Sequence, residues 1–156
     1  MQTGDILLVH GTSFVQRGIE EATRSPFCHV ALLVESPAGG FLVCEQVEGC
    51  GYQCMTLVDW QAGRPNDRVF VGTAPEAVHA GVAALMAALP TGPQDYGYAE
   101  LFTVWLSGIT GREYQTAHEV CSLFVQHKWE AAGYKTPGCA APGDFLWWVT
   151  RLDRLQ

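Results

Sequence analysis

His29-Val30-Ala31-Leu32-Leu33-Val34, Ser36-Pro37-Ala38-Gly39-Gly40 and Phe41-Leu42-Val43-Cys44-Glu45 follow one another as two apolar runs around a cluster of turn formers. The first six residues are an uninterrupted apolar run of strand length, which suits a strand buried on both faces. The middle five are turn formers. The last five read as the return strand of a hairpin. Opposed residues of an antiparallel pair share a face. An odd number of loop residues therefore puts Glu45 on the face of His29, opposite it or one diagonal away. An even number puts Gln46 there instead. Either side chain accepts a hydrogen bond from the imidazole, so the hairpin offers the histidine an orienting partner without choosing between the two.

Outward toward the N-terminus, Ile6-Leu7-Leu8-Val9 follows Gly4-Asp5 and reads as a second short strand. Ser13 is placed to cap a helix that runs to about Thr23 and ends at Ser25-Pro26. Phe14, Ile19 and Ala22 lie near one side of that helix. Toward the C-terminus, Val69-Phe70-Val71 is a further short strand. The period then changes. Ala74-Pro75-Glu76 opens a helix in which Val78, Val82, Leu85, Met86 and Leu89 recur at helical spacing. A short helix is expected over Tyr98 to Leu106, and another from about His118 to Ala132 with Gly133 as its stop. Phe145-Leu146-Trp147-Trp148-Val149 reads as an apolar strand or a docking segment. The 156 residues contain no repeat or linker, so a single α+β domain over 1–156 is expected.

Composition narrows the function classes. The chain is 48% hydrophobic with a formal net charge of -7, and its nine Lys and Arg are scattered. Phosphate backbones need clustered positive charge, so nucleic acid is not an expected partner. No window of roughly 18 residues is free of charges and helix breakers, so no membrane span is expected. The first residues, Met1-Gln2-Thr3-Gly4-Asp5, lack the pattern of a secretory signal. The expected location is the cytoplasm, or, for a phage-encoded protein, release or delivery without a signal of its own. The six cysteines are read as reduced thiols, mostly buried. A zinc or disulfide role for Cys44, Cys50 and Cys54 is the competing reading. It is weakened for zinc because Cys50 and Cys54 have no second spaced pair beside them. Neither a phosphate-binding loop nor a helical histidine pair is present, and no metal or cofactor is expected.

One constellation remains that carries chemistry. Cys121 falls in the first turn of the third helix, with Phe124, Val125 and Trp129 on its own side. A thiol at a helix N-terminus meets unpaired N–H groups and the positive end of the helix dipole, which favour the reactive thiolate. The same N–H groups suit a developing oxyanion. Read blandly, Cys121 is a small core residue, His29 a polar strand end and Glu45 a solvated strand residue. The three gain meaning only if the fold brings them together. His118 reads as a cap, and His10, His79 and His127 have no supporting pattern. Tyr96 and Tyr98, in Asp95-Tyr96-Gly97-Tyr98, are candidates to line a cleft or donate to an oxyanion.

Three stretches carry a family resemblance. They are Gly4-Asp5-Ile6-Leu7-Leu8-Val9, then Ser25-Pro26-Phe27-Cys28-His29-Val30-Ala31-Leu32-Leu33, then Val120-Cys121-Ser122-Leu123-Phe124-Val125. In this order they resemble the circularly permuted branch of the NlpC/P60 papain-like cysteine hydrolases, over roughly residues 4 to 150. The resemblance implies an antiparallel sheet carrying the histidine and the acid, packed against a helix with the cysteine at its N-terminus. It implies a thiol protease or amidase that cleaves peptide or N-acyl amide bonds, often in the cell-wall peptides of peptidoglycan. The catalytic residues would be Cys121, His29 and Glu45, with Gln46 in reserve. Relatives on the same architecture include acyltransferases of the lecithin–retinol type. The branch often has an acidic or small polar residue after Cys-Ser. Leu123 and Phe124 stand there in this chain, so a more apolar cleft beside the nucleophile is expected. An acyltransferase or lipid and ester hydrolase therefore stays open, as does a non-catalytic binding module.

Overall fold

The apolar runs pair with one another because each can bury both of its faces. In the computed structural model, which describes residues 1–91, 120–137 and 141–156, six strands form one sheet in the order β4-β3-β2-β1-β5-β6. They are β1 (Ile6–His10), β2 (His29–Glu35), β3 (Phe41–Val47), β4 (Gly51–Thr56), β5 (Arg68–Thr73) and β6 (Arg151–Arg154), and all neighbours are antiparallel. The helices are α1 (Phe14–Thr23), α2 (Leu57–Ala62), α3 (Glu76–Ala80), α4 (Val82–Ala87) and α5 (Cys121–Ala131), with a 3₁₀ segment at Pro142–Trp147. The architecture is α+β.

Two layers cover the central strands. Ile6, Leu8, Val30, Leu32 and Val34 face one way, against Phe124, Val125 and Trp129 of α5 and against Val78, Leu85 and Phe145. Leu7, Val9, Ala31 and Leu33 face the other way, against Trp60 of α2, with Ile19 and Leu57 packed at the margin. Burial on both faces removes any need for alternating polar residues, which is why β1 and β2 read as continuous apolar runs. Among the described residues no helix is long and apolar enough to cross a membrane.

Several expectations are corrected. The helix expected over the Val78 to Leu89 repeat breaks at Gly81 into α3 and α4. A Cβ on Gly81 would stand 2.0 Å from the backbone oxygen of Ala132, so the chain bends where only glycine lets α5's C-terminal end approach. Ser13 caps α1 through a full capping box with Gln16, but Phe14 is 93% exposed and Ala22 is exposed as well. The inward side of α1 is held by polar contacts instead. Gln16 Nε2 donates to Asp67 Oδ2 at 3.1 Å, and Glu20 Oε1 accepts from Gly11 N at 3.1 Å. The aromatic tail is a docking 3₁₀ segment, not a strand, and it delivers Phe145 to the core. Strands β4 and β6 and helix α2 are elements the pattern did not announce. The helix expected over Tyr98 to Leu106, and the part of the third helix before Val120, lie outside the described residues.

Candidate active site

The hairpin loop decides which of the two side chains meets His29. The register Leu32↔Cys44, Leu33↔Val43, Val34↔Leu42 and Glu35↔Phe41 leaves 36–40 as a five-residue, odd loop. Continued to the strand end, it puts Glu45 one diagonal from His29. Their side chains meet, with His29 Nε2 and Glu45 Oε2 2.7 Å apart. Gln46 points to the opposite face of β3 by strand alternation and is fully buried. It is not the orienter, because the loop is odd.

Glu45 is 1% exposed, which would be costly for a lone carboxylate. Three donors satisfy it. Besides His29, Trp60 Nε1 donates to Oε2 at 2.8 Å, and the Arg64 guanidinium lies 3.2 Å from Oε1 and 3.3 Å from Oε2. Arg64 also stacks on the Trp60 ring, 4.2 Å from its centroid. Burial pushes the Glu45 carboxyl up. The hydrogen bond and charge of His29, with the Arg64 charge and the Trp60 N–H, outweigh burial and hold it below the usual carboxylate range.

Cys121 opens α5 as its first residue. Val120, the residue before it, is extended and makes no side-chain cap hydrogen bond to the first-turn N–H groups. Its partners are those expected from spacing: Phe124, Val125 and Trp129 are fully buried in the same cluster. His29 and Cys121 line the same cleft, close enough for the charge of Cys121 to act on the imidazole. With Nε2 on the carboxylate, Nδ1 is the ring nitrogen that remains. Burial pulls the imidazole pKa down, but the charge of Cys121 and the hydrogen bond and charge of Glu45 raise it to about 10. The fold thus brings together all three residues singled out from sequence.

A cleft of about 520 Å³ opens on the pair. Its walls include Ser13 and Gln16 of α1, Glu48 after β3, Arg64, Asn66 and Asp67 of the loop after α2, and Ser122. Leu123 and Phe124 are not among them. Both are buried in the core, because residues two and three past Cys121 turn away from the helix end that faces the cleft. The cleft is nonetheless apolar in part, through Val9, Ile19, Val47, Val120 and Pro142 rather than through Leu123 and Phe124. Cys28 also lines the cleft, but burial pushes its thiol up to about 12 and its S–H donates to Val9 O at 3.3 Å. That environment suppresses the thiolate, so Cys28 is an inert neighbour.

Tyr96, Tyr98, His118 and Cys139 lie outside the described residues. His10 sits 3.0 Å from Glu20 and from Pro26 O, and His79 pairs with Asp5 at 3.0 Å. Asp5 also accepts from the N–H of Ala74 and of Gln2, so this second His–Asp pair fastens the start of β1 to the chain ahead of α3. Sequence reasoning missed Trp60 and Arg64. Their own spacing of four, across the helix end at Gly63, hints at a cation over a ring. Nothing local links them to Glu45, which is 15 and 19 positions away.

No protein-family model matches the chain, and no curated protein matches it. Among solved structures it is similar to the metalloprotein YiiX from Escherichia coli O157:H7, a DUF1105 protein. The two are 20% identical with a TM-score of 0.54, over 99% of this chain and 96% of that one. This likeness is one of fold. Among the described residues of this chain, no group of three or more His, Cys, Asp or Glu side chains is placed to hold a metal ion. The carboxylate at the site is saturated with donors and faces a guanidinium, which repels a cation. These donors do not fit a metal ion.

Proposed function

We propose that this protein is a cysteine-dependent hydrolase that cleaves peptide or N-acyl amide bonds through a thioester, on a permuted papain-like arrangement. One observation carries the reading: His29 bonds the buried Glu45 carboxylate through Nε2 and shares the cleft with Cys121, whose charge acts on the imidazole. A nucleophile, a base and a buried acid in series form the general constellation for acyl transfer. Their order along the chain, with two members on the sheet and the third opening a helix, supports the resemblance to the permuted NlpC/P60 branch.

The chemistry follows from the side chains. The Cys121 thiolate attacks the carbonyl carbon while His29 holds the proton. The oxyanion forms next to the N–H groups at the start of α5. As the C–N bond breaks, His29 gives its proton to the leaving amine, and the acyl group stays on sulfur. Water then attacks the thioester carbonyl, His29 takes a proton from it, and the thiolate leaves. Glu45 keeps the imidazole in the required tautomer throughout, held in place by Trp60 and Arg64. A peptide or acyl-amide substrate, such as a cell-wall peptide, would meet polar groups at Gln16, Arg64 and Asn66 and apolar ones at Val9, Ile19 and Val120.

The test is the pH dependence of iodoacetamide labelling, mapped to each cysteine by mass spectrometry, alongside hydrolysis of peptide and N-acyl amides. Cys121 should label fastest well below the pH at which ordinary thiols react, and His29→Ala should slow it. Cys121→Ala should abolish turnover with the fold intact. Labelling of Cys121 no faster than that of buried Cys44 in the folded protein would sink the proposal and leave a binding module.

A further inference from the structure

A second sulfur cluster lies outside the cleft and takes no part in the proposed hydrolysis. Cys44 on β3 and Cys54 on β4 are direct partners across the hairpin. Opposed side chains on such a pair leave the sheet on one face with Cβ atoms about 4.5–5.5 Å apart, close to the range that a disulfide spans. The two Sγ atoms are 2.7 Å apart, within about 0.7 Å of a covalent S–S bond length. Their surroundings differ sharply. Cys44 is 1% exposed and packs in the core cluster with Phe124, whereas Cys54 is exposed on β4, an outer strand of the sheet. Tyr52 leans on Phe124 with ring centroids 5.6 Å apart, and its hydroxyl lies near the two sulfur atoms.

We propose that Cys44 and Cys54 form a reversible cross-strand disulfide, with exposed Cys54 as the entry thiol and buried Cys44 as the resolving thiol. A small disulfide such as oxidised glutathione serves as the oxidant. The Cys54 thiolate attacks one glutathione sulfur, expels one glutathione thiolate and leaves a mixed disulfide on Cys54. Cys44 sulfur then attacks Cys54 sulfur, its proton passes to the second glutathione as that thiol leaves, and the S–S bond closes. Two protein thiols are oxidised, and one glutathione disulfide is reduced to two thiols. Burial pushes the Cys44 thiol up to about 12, so Cys44 resists direct attack by solvent oxidants. The nearby Tyr52 hydroxyl eases formation of the thiolate at the moment of closure. The bridge fastens the strand that carries Glu45 to the one that leads through Thr56 into the helix of Trp60. It also locks a sheet edge that would otherwise be free to peel.

The experiment equilibrates the whole protein in glutathione buffers of graded potential, quenches with acid and alkylates the remaining thiols. A glutamate-specific protease then separates Cys44 from Cys50 and Cys54, cutting after Glu45 and Glu48. The expected result is joint loss of alkylation at Cys44 and Cys54, a linked peptide pair two hydrogens lighter, and full reversal by dithiothreitol. The oxidised form should melt about 4 °C or more above the reduced one. Cys50→Ser should keep the link, Cys54→Ser should leave Cys44 alkylatable only after unfolding, and Tyr52→Phe should slow closure. Cys121→Ala should form the same bridge, so this result stands or falls apart from the hydrolase reading. Independent alkylation of Cys44 and Cys54 under the most oxidising buffer would overturn the proposal, as would a link from Cys54 to Cys50 or Cys139 with Cys44 left free.

Discussion

At the scale of single residues, the acid is the most heavily determined group in the site. Glu45 is almost fully buried and accepts from an imidazole, an indole and a guanidinium together. Replacing it with Gln keeps the shape but removes the charge that favours the imidazolium. Glu45→Gln should lower the His29 pKa measured by NMR from about 10 and reduce turnover on the order of 100- to 10,000-fold. An unchanged His29 titration would mean that Glu45 is only a packing residue. Arg64→Ala leaves a buried carboxylate with one donor fewer and strips the Trp60 ring of its stacking partner. The expected cost is about 1–3 kcal/mol, read as a lower denaturant midpoint, with the Glu45 carboxyl shifted upward. The identity of Cys121 and His29 was legible in the sequence, because the first turn of a helix and the first residue of a strand are local properties. Trp60 and Arg64 were not, because their role depends on where a six-residue helix docks.

At the scale of elements, hydrophobic pattern named those that bury a continuous apolar run. β1, β2, β3 and α5 came through with their ends nearly correct. Elements whose side chains are mixed did not. β4, with the sequence GYQCMT, alternates buried and exposed residues too weakly to stand out, and β6 is exposed along its whole length. The break at Gly81 was hidden for another reason: the helical repeat continues across it, and only contact with Ala132 bends the chain. Gly81→Ala tests this. In a continuous helix, alanine would stabilise by about 1 kcal/mol. Against the Ala132 carbonyl it should destabilise by about 1–3 kcal/mol, seen as a lower Tm. In α1, sequence found the cap and the inward Ile19 but not the exposure of Phe14 and Ala22, because Gln16 on the inward side reaches Asp67, a residue remote in sequence.

At the scale of the whole molecule, stability depends on pH through the same groups. His29 has an ordinary value of 6.5 and a folded value of about 10, so its contribution is complete below 6.5 and is lost as pH rises through 10. Glu45 is held below its ordinary 4.5, so its contribution is present above 4.5 and is lost on acidification. Cys28 and Cys44 act with His29 on the alkaline side. Unfolded thiols ionise near 9, whereas the folded ones wait until about 12, so unfolding gains there. Denaturant midpoints should therefore be highest between about pH 4.5 and 6.5 and fall steadily toward pH 10. His29→Gln should flatten the slope between 6.5 and 9, and an equal slope in that variant would refute the assignment.

The α+β class, the two central strands, the cap of α1, the cysteine at a helix start and the histidine at a strand start are all written in the chain's local pattern. These follow from hydrophobic period and end signals, which act over a few residues. That pattern narrowed the orienter to Glu45 or Gln46 and stopped there, since both obey the same local rules. Only the tertiary structure decided that the loop is odd, that Leu123 and Phe124 belong to the core, that Trp60 and Arg64 hold the acid, and that Cys44 meets Cys54. Each of those contacts joins segments whose separation is set by packing against both faces of one sheet, and no local period encodes how the layers come to rest on it.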